Sequence, residues 1–178
     1  VESVKDLEDN IIVRQSILDA KNVVVKVSEV AATINKDRTM ITHQMKVENV
    51  ELWSLESAYL YTLKTELLKD GHILDVIEQR FGYRIIKYDT DRGFFLNDKH
   101  VKIYGVCEHH DLGALGAAFN KVAMKRKFLT LRKMGVNAIR TSHNMPAKDL
   151  MELADELGFL VNSEAFDMWE MKKTEYDY

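Results

Sequence analysis
Ile139-Arg140-Thr141-Ser142-His143-Asn144-Met145-Pro146 sets the architecture of the C-terminal half. Asn137 to Arg140 reads as a short buried strand after a helical run and Gly135. Pro146 stands where a helix would begin, since its fixed φ suits a first turn and its missing N–H had no partner there anyway. Between strand and helix lie Arg140, His143 and Asn144: a cation, a titratable ring and an amide. Polar groups at the carboxyl end of a buried strand are how α/β proteins, and barrels above all, build sites. This stretch reads as part of such a rim.

The periodicity around it supports that reading. Val101–Val106 is expected as a strand, Ala117–Met134 as a helix with Met124, Phe128 and Leu131 on its buried stripe, and Val136–Thr141 as a second strand. Ala147–Leu157 carries Leu150, Leu153, Ala154 and Leu157 at helical spacing with Gly158 as cap, and Phe159–Asn162 opens a third strand. Strands alternating with helices imply a parallel sheet. Glu108-His109-His110-Asp111, Ser142-His143-Asn144, and Glu164 with Asp167 and Trp169 then each follow a strand. Parallel strands bring those carboxyl ends to one rim.

Before residue 84 the period is two. Ile11–Leu18, Val23–Val30, Ile41–Val47, Tyr59–Leu67 and Ile73–Arg84 read as strands without intervening helices, which suits an antiparallel sandwich. Asp19-Ala20-Lys21-Asn22 and Lys69-Asp70-Gly71-His72 read as turns, and Phe94 to Lys99 as a hairpin turning at Asn97-Asp98. His43 reads as a core or edge histidine. The expected domains are 1–88, a β-sandwich, and 89–178, an α/β unit.

Composition narrows the function classes. At 178 residues, 46% apolar and 30% charged, the chain can bury a core. A net charge of −3 offers no basic field, so no nucleic-acid partner is expected. Cys107 is the single cysteine, which excludes an internal disulfide. With no apolar run of about 18 residues, no membrane partner is expected. The acidic start, with Glu2, Asp6, Glu8 and Asp9, is unlike a signal peptide. Val1 stands in place of an initiator Met, as in a processed or cloned segment, so the compartment stays open.

Each cluster also has an alternative. His109, His110 and His143 could ligate a metal, but adjacent histidines on a loop point apart and no HExxH spacing supports it. No metal and no cofactor are expected. Arg140 could close a barrel floor through an ion pair, and His143 and Asn144 could be solvated loop residues. Glu164 could be a catalytic carboxylate or an acceptor orienting Arg140 or a histidine. Trp169 could be a sugar platform or core packing. Lys125-Arg126-Lys127 with Arg132 and Lys133 reads as a solvated helix face.

A string of motifs resembles glycoside hydrolase family 2, the β-galactosidase and β-glucuronidase group. The pieces are Leu52-Trp53-Ser54 with Tyr59-Leu60-Tyr61; Phe81-Gly82-Tyr83-Arg84; Gly93-Phe94-Phe95-Leu96-Asn97; Gly105-Val106-Cys107 with His109-His110-Asp111-Leu112-Gly113; Gly135 to Asn144; and Glu164-Ala165-Phe166-Asp167-Met168-Trp169. The resemblance implies a multidomain β plus α/β chain, an immunoglobulin-like β-sandwich followed by the first strands and helices of a (β/α)8 TIM barrel. It implies a retaining β-glycosidase, β-galactosidase before others, using two glutamates that follow later barrel strands. No catalytic residue is therefore expected in this chain. It implies a glycan-binding rim of His110, Asp111, Arg140, His143, Asn144, Glu164, Asp167 and Trp169. The alternative is a non-catalytic β-sandwich module that binds carbohydrate or a partner. Because a barrel needs roughly 200 residues, more than follow residue 88, the chain reads as a truncated piece, inactive alone. Its uncovered apolar surface would favour association, including with a second copy. The family pattern has Gly at Asp98, prolines near Leu55 and Ala58, Pro at Met145 and Asp at Ser163, all absent here.

Overall fold
The computed structural model describes all residues except 43, 169–171, 173 and 177–178, and the backbone alone of 8–10. His43 and Trp169 therefore lie outside the described residues. The chain divides into two compact units, Val1–Glu51 with Tyr59–Tyr83, and Leu52–Ala58 with Arg84–Tyr178. Among the described residues no helix is long and apolar enough to cross a membrane.

The first unit holds β1 (Glu2–Ser3), β2 (Leu7–Leu18), β3 (Val24–Ile34), β4 (Asp37–Arg38), β5 (Tyr61–Lys69) and β6 (His72–Phe81). Its main sheet is antiparallel, in the order β3-β2-β5-β6, and β1 pairs with β4. Ile11, Val13 and Ile17 alternate along β2 and are buried, as period-two patterning requires. Asp19 Oδ1 accepts from the backbone of Lys21 and Val23, both at 2.8 Å, which closes the β2–β3 turn. Tyr61 centres an aromatic cluster with Tyr59, Phe81 and Tyr83 at ring separations of 5.0, 6.0 and 5.2 Å.

Residues 41–47 depart from expectation. Ile41, Met45 and Val47 are half-buried and Thr42, Gln44 and Lys46 exposed, so the alternation is real, yet no described residue there joins a ladder. Alternation reports which face is covered; it does not supply a partner strand. Both sides of β2 are already taken by β3 and β5.

In the second unit β7 (Ile86–Asp89), β8 (Gly93–Leu96) and β9 (Lys99–His100) form an antiparallel sheet. Asn97 and Asp98 join β8 to β9 with φ of 51° and 62°. Asn and Asp tolerate that left-handed region, and glycine enters it freely. Then come β10 (Gly105–His109), α1 (Lys121–Lys133), β11 (Ala138–Ser142), α2 (Lys148–Leu157) and β12 (Leu160–Asn162), the strands parallel in the order β10-β11-β12. Helix α1 starts later than its apolar spacing suggests because Asn120 caps it, accepting from the Ala123 N–H at 2.9 Å. Strand β10 also starts late. Asn137 Oδ1 accepts from the Tyr104 N–H at 2.8 Å and Asn137 Nδ2 donates to the Lys102 carbonyl at 2.9 Å. A side chain thus satisfies backbone groups that a ladder would otherwise pair.

The core of this unit is Met124 and Phe128 from α1, Ile139 from β11, Leu150, Leu153 and Ala154 from α2, and Phe159. Leu52–Ala58 is clasped into the same unit. Trp53 is 2% exposed. Its Nε1–H donates to the Asp155 carbonyl at 2.8 Å, its carbonyl accepts from Asn97 Nδ2 at 3.0 Å, and Arg84 lies over its ring. Arg132 donates to the carbonyls of Leu55 and Gly158, both at 3.1 Å, and stacks on Phe159. Arg132 is therefore a tie between segments, where its run of charges suggested a solvated face. The first unit is thus antiparallel β, as expected, and the second ends in three parallel strands alternating with helices; among the described residues these do not close into a barrel.

Candidate functional site
Strand parity and register assemble the site. On β11, Ile139 belongs to the core shared with the helices, so Arg140 projects from the opposite face of the sheet. The parallel register sets Cys107, Arg140 and Asn162 side by side, and His109 beside Ser142. Glu164 lies two residues beyond β12. Its backbone N–H donates to Thr141 Oγ1 at 2.9 Å, which ties the segment after β12 to the end of β11.

The Glu164 carboxylate then meets two partners. Arg140 Nε–H donates to Oε1 in a short bond, and Oε2 lies 2.8 Å from His143 Nδ1. The Arg140 hydrogen bond, and after it that of His143, holds the Glu164 carboxyl below the ordinary carboxylate range. The same bond to Glu164 raises the Arg140 guanidinium. Arg140 also reaches Cys107 Sγ at 4.0 Å, and the His109 ring stands edge-on to His143 at 5.6 Å. The result is a carboxylate that only accepts, a guanidinium that only donates, and a ring able to do either.

Beside this group lies a cleft of about 120 Å³ whose lining includes His110, Asp111, Phe119, Met124, Pro146 and Leu150. Glu108, also in its wall, is 5% exposed and bonded by Lys127 Nζ at 2.7 Å. Lys127 further donates to the Asp111 carbonyl at 3.3 Å, so this lysine too is more than a solvated charge.

Of the residues singled out in the sequence, Arg140, His143 and Glu164 are joined directly, while His110 and Asp111 border the neighbouring cleft. Asn144, next in the chain to His143, and Asp167 are exposed, and Trp169 is not among the described residues. Sequence reasoning passed over Thr141, which anchors Glu164, and gave no sugar-binding role to Cys107 or to His109, which share the Arg140 face. Counting parity outward from Arg140, with the register in hand, finds Cys107 and His109; Thr141 has the opposite parity and joins the site only through the Glu164 backbone. Among the described residues no three His, Cys, Asp or Glu side chains are placed to hold a metal ion.

Comparison with known proteins gives a consistent picture. Residues 1–84 match the model for glycosyl hydrolases family 2, and residues 89–176 match the TIM barrel domain of glycosyl hydrolases family 2. A β-galactosidase of Bacteroides ovatus is 41% identical over 174 residues, covering 97% of this chain and 20% of that protein. A putative β-glucuronidase of Formosa agariphila is 42% identical over 135 residues, covering 76% of this chain and 13% of that protein. The crystal structure of a glycosyl hydrolase family 2 member from Bacteroides cellulosilyticus superposes with a TM-score of 0.92 at 35% identity, covering 100% of this chain and 25% of that one. The chain thus spans about a fifth of the first curated relative's length. Two adjacent domain models of one family, matched in order along nearly the whole sequence, and a fold in common with a solved member place this chain among the glycosyl hydrolases of family 2.

Proposed function
We propose that this chain supplies part of the sugar-binding rim of a retaining glycosidase acting on terminal β-glycosidic bonds, with β-galactosides as its substrates. The observation that carries this reading is the Glu164 carboxylate engaged at once by Arg140 and His143 at the carboxyl ends of parallel strands. Such a cluster offers paired donors and acceptors to sugar hydroxyls. By the family resemblance Glu164 itself is neither the acid/base nor the nucleophile. Retaining chemistry needs two carboxyls about 5–5.5 Å apart, one free to give up a proton and one free to attack. A carboxylate kept ionised by Arg140 and His143 is poorly suited to give up a proton, and the family resemblance implies that both glutamates follow later barrel strands, so they are assigned to residues outside this chain. His110, Asp111, Asn144, Asp167 and Trp169 are proposed as further sugar contacts.

Two observations favour a neutral sugar over a uronate. The charge of Arg140 is already met by Glu164, and that of Lys127 by Glu108. A glucuronide carboxylate would have to compete with each of those pairs. A β-galactosidase and a putative β-glucuronidase are both among the relatives, so the question calls for a direct assay.

The test is turnover of p-nitrophenyl β-D-galactoside and β-D-glucuronide by the protein expressed from its complete reading frame. Faster turnover of the galactoside is expected. No turnover of any β-glycoside would refute the reading, and preference for the glucuronide would refute its finer part. Galactose titrated into the isotopically labelled chain should shift resonances of Arg140 and His143. Shifts confined to β2, β3, β5 and β6 would make the chain a sugar-binding sandwich instead.

A further inference from the structure
We propose that Glu164 is a positioning residue that fixes the tautomer of His143, holding the proton on Nδ1 so that Nε2 stands toward the sugar as a hydrogen-bond acceptor. The inference rests on the reading above of this rim as a sugar site. Its basis is the bonding of three groups. The carboxylate of Glu164 has only acceptor atoms, and its Oε2 lies 2.8 Å from His143 Nδ1. In the neutral ring, a nitrogen facing an acceptor at that distance carries the hydrogen, and the other nitrogen carries the lone pair. Oε1 is occupied by Arg140 Nε–H, and the backbone of Glu164 is pinned through Thr141 Oγ1. Glu164 is therefore held by three groups on or just beyond β11, its carboxylate by two of them, and that carboxylate cannot turn away from the ring without breaking a charged hydrogen bond. Its depressed pKa keeps it an acceptor through the neutral range.

Partners of this kind, behind the group that touches the ligand, set ring orientation and basicity, and their loss commonly costs about 10- to 100-fold in function. Here the loss takes a particular form. A glutamine at position 164 has one acceptor oxygen and one donor nitrogen. Arg140 can only donate, so it takes the oxygen, and the amide N–H2 is left facing His143. Nδ1 must then accept, and the ring proton moves to Nε2. The nitrogen offered to the sugar changes from acceptor to donor with almost no change in shape. Glu164→Asp keeps an acceptor-only group and should keep the original tautomer.

The experiment has two arms. Two-bond ¹H–¹⁵N correlations on the imidazole of the ¹⁵N-histidine-labelled chain read the tautomer directly. The Nδ1–H form is expected in the unsubstituted chain and in E164D, and the Nε2–H form in E164Q. Kinetics of the protein from its complete reading frame should give kcat/KM about 10- to 100-fold lower for E164Q, carried mainly by KM, with E164D recovering most of the loss. Far-ultraviolet circular dichroism checks folding, and should E164Q fail to fold, the tautomer of the unsubstituted chain decides. An Nε2–H ring in the unsubstituted chain overturns the proposal, as does a folded E164Q that keeps Nδ1–H or loses no kcat/KM. A ring that flips as expected, in a protein that turns over no glycoside, upholds the positioning role and refutes only the glycosidase reading.

Discussion

Replacing Trp53 with alanine should unfold the second unit at much lower denaturant than the unsubstituted chain. The indole is 2% exposed, and an indole buries roughly 150–250 Å² on packing. At about 25 cal/mol per Å² this corresponds to ~4–6 kcal/mol of transfer, consistent with the ~3–5 kcal/mol usual for Trp→Ala in a core. The hydrogen bond adds to it. Asp155 lies in the last turn of α2, where carbonyls lack helical partners, and Trp53 Nε1–H supplies one from 102 residues away. Both helices belong to the second unit, so ellipticity at 222 nm reports that unit's unfolding. With a urea dependence of ~2 kcal/mol per M, a loss of ~4 kcal/mol lowers the 222 nm midpoint by about 2 M. Trp53→Phe keeps most of the packing but removes the donor, and should cost ~1–2 kcal/mol. A W53A midpoint within about 0.3 M of the unsubstituted chain would refute the clasp.

Gly158→Ala should cost more than Gly135→Ala in the same melts. Both glycines have positive φ, 65° and 86°, so each alanine meets the left-handed penalty of ~1–2 kcal/mol, but only at 158 would the new Cβ stand 2.6 Å from the Leu55 carbonyl oxygen. Equal losses would show that Leu55 simply moves aside. Asn137→Ala should cost ~1–3 kcal/mol and speed hydrogen exchange at the Tyr104 amide, whose acceptor is the Asn137 side chain; unchanged exchange there would refute the substitution of side chain for ladder. The Glu164 carboxyl titrates lower folded than its ordinary value of 4.5, so its bonds to Arg140 and His143 contribute stability above pH 4.5, which is lost as pH falls through the lowered folded value. Urea midpoints followed from pH 6 to pH 3 should therefore fall more steeply for the unsubstituted chain than for E164Q, and parallel curves would contradict this.

How much of this was legible beforehand differs from element to element. Alternation along Ile11, Val13 and Ile17 was enough for β2, and i, i+3, i+4, i+7 spacing for α2, because in each case one face meets the core and the other water. The same alternation over 41–47 was correct about burial and misleading about pairing, since no periodicity states whether a neighbouring strand edge is open. The convergence of Arg140, His143 and Glu164 followed from parallel strands alone. Thr141 did not, because its bond to the Glu164 N–H depends on the path of the chain beyond β12, and the place of His109 beside Ser142 depends on register, which only the folded pairing of β10 with β11 fixes. Lys127 and Arg132 looked like solvated charges because helical spacing carries no information about what loop will lie across them. Leu52–Ala58 was hidden for the same reason: short, irregular and distant in sequence, it is marked as part of the second unit only by Trp53, Leu55 and their partners.

That segment also has a bearing on biogenesis. A ribosome releases Trp53 long before it has made Asp155, so an indole destined for the interior must wait, wetted and exposed, while some hundred further residues emerge. Strands β5 and β6 are synthesised during that interval and can pair with β2, turning the waiting segment into a loop hanging from a sheet already formed. Cleaving the polypeptide at any single peptide bond between 59 and 155 would strand the indole on the wrong side of the cut, and for that reason the two units cannot be parted by one scissor stroke.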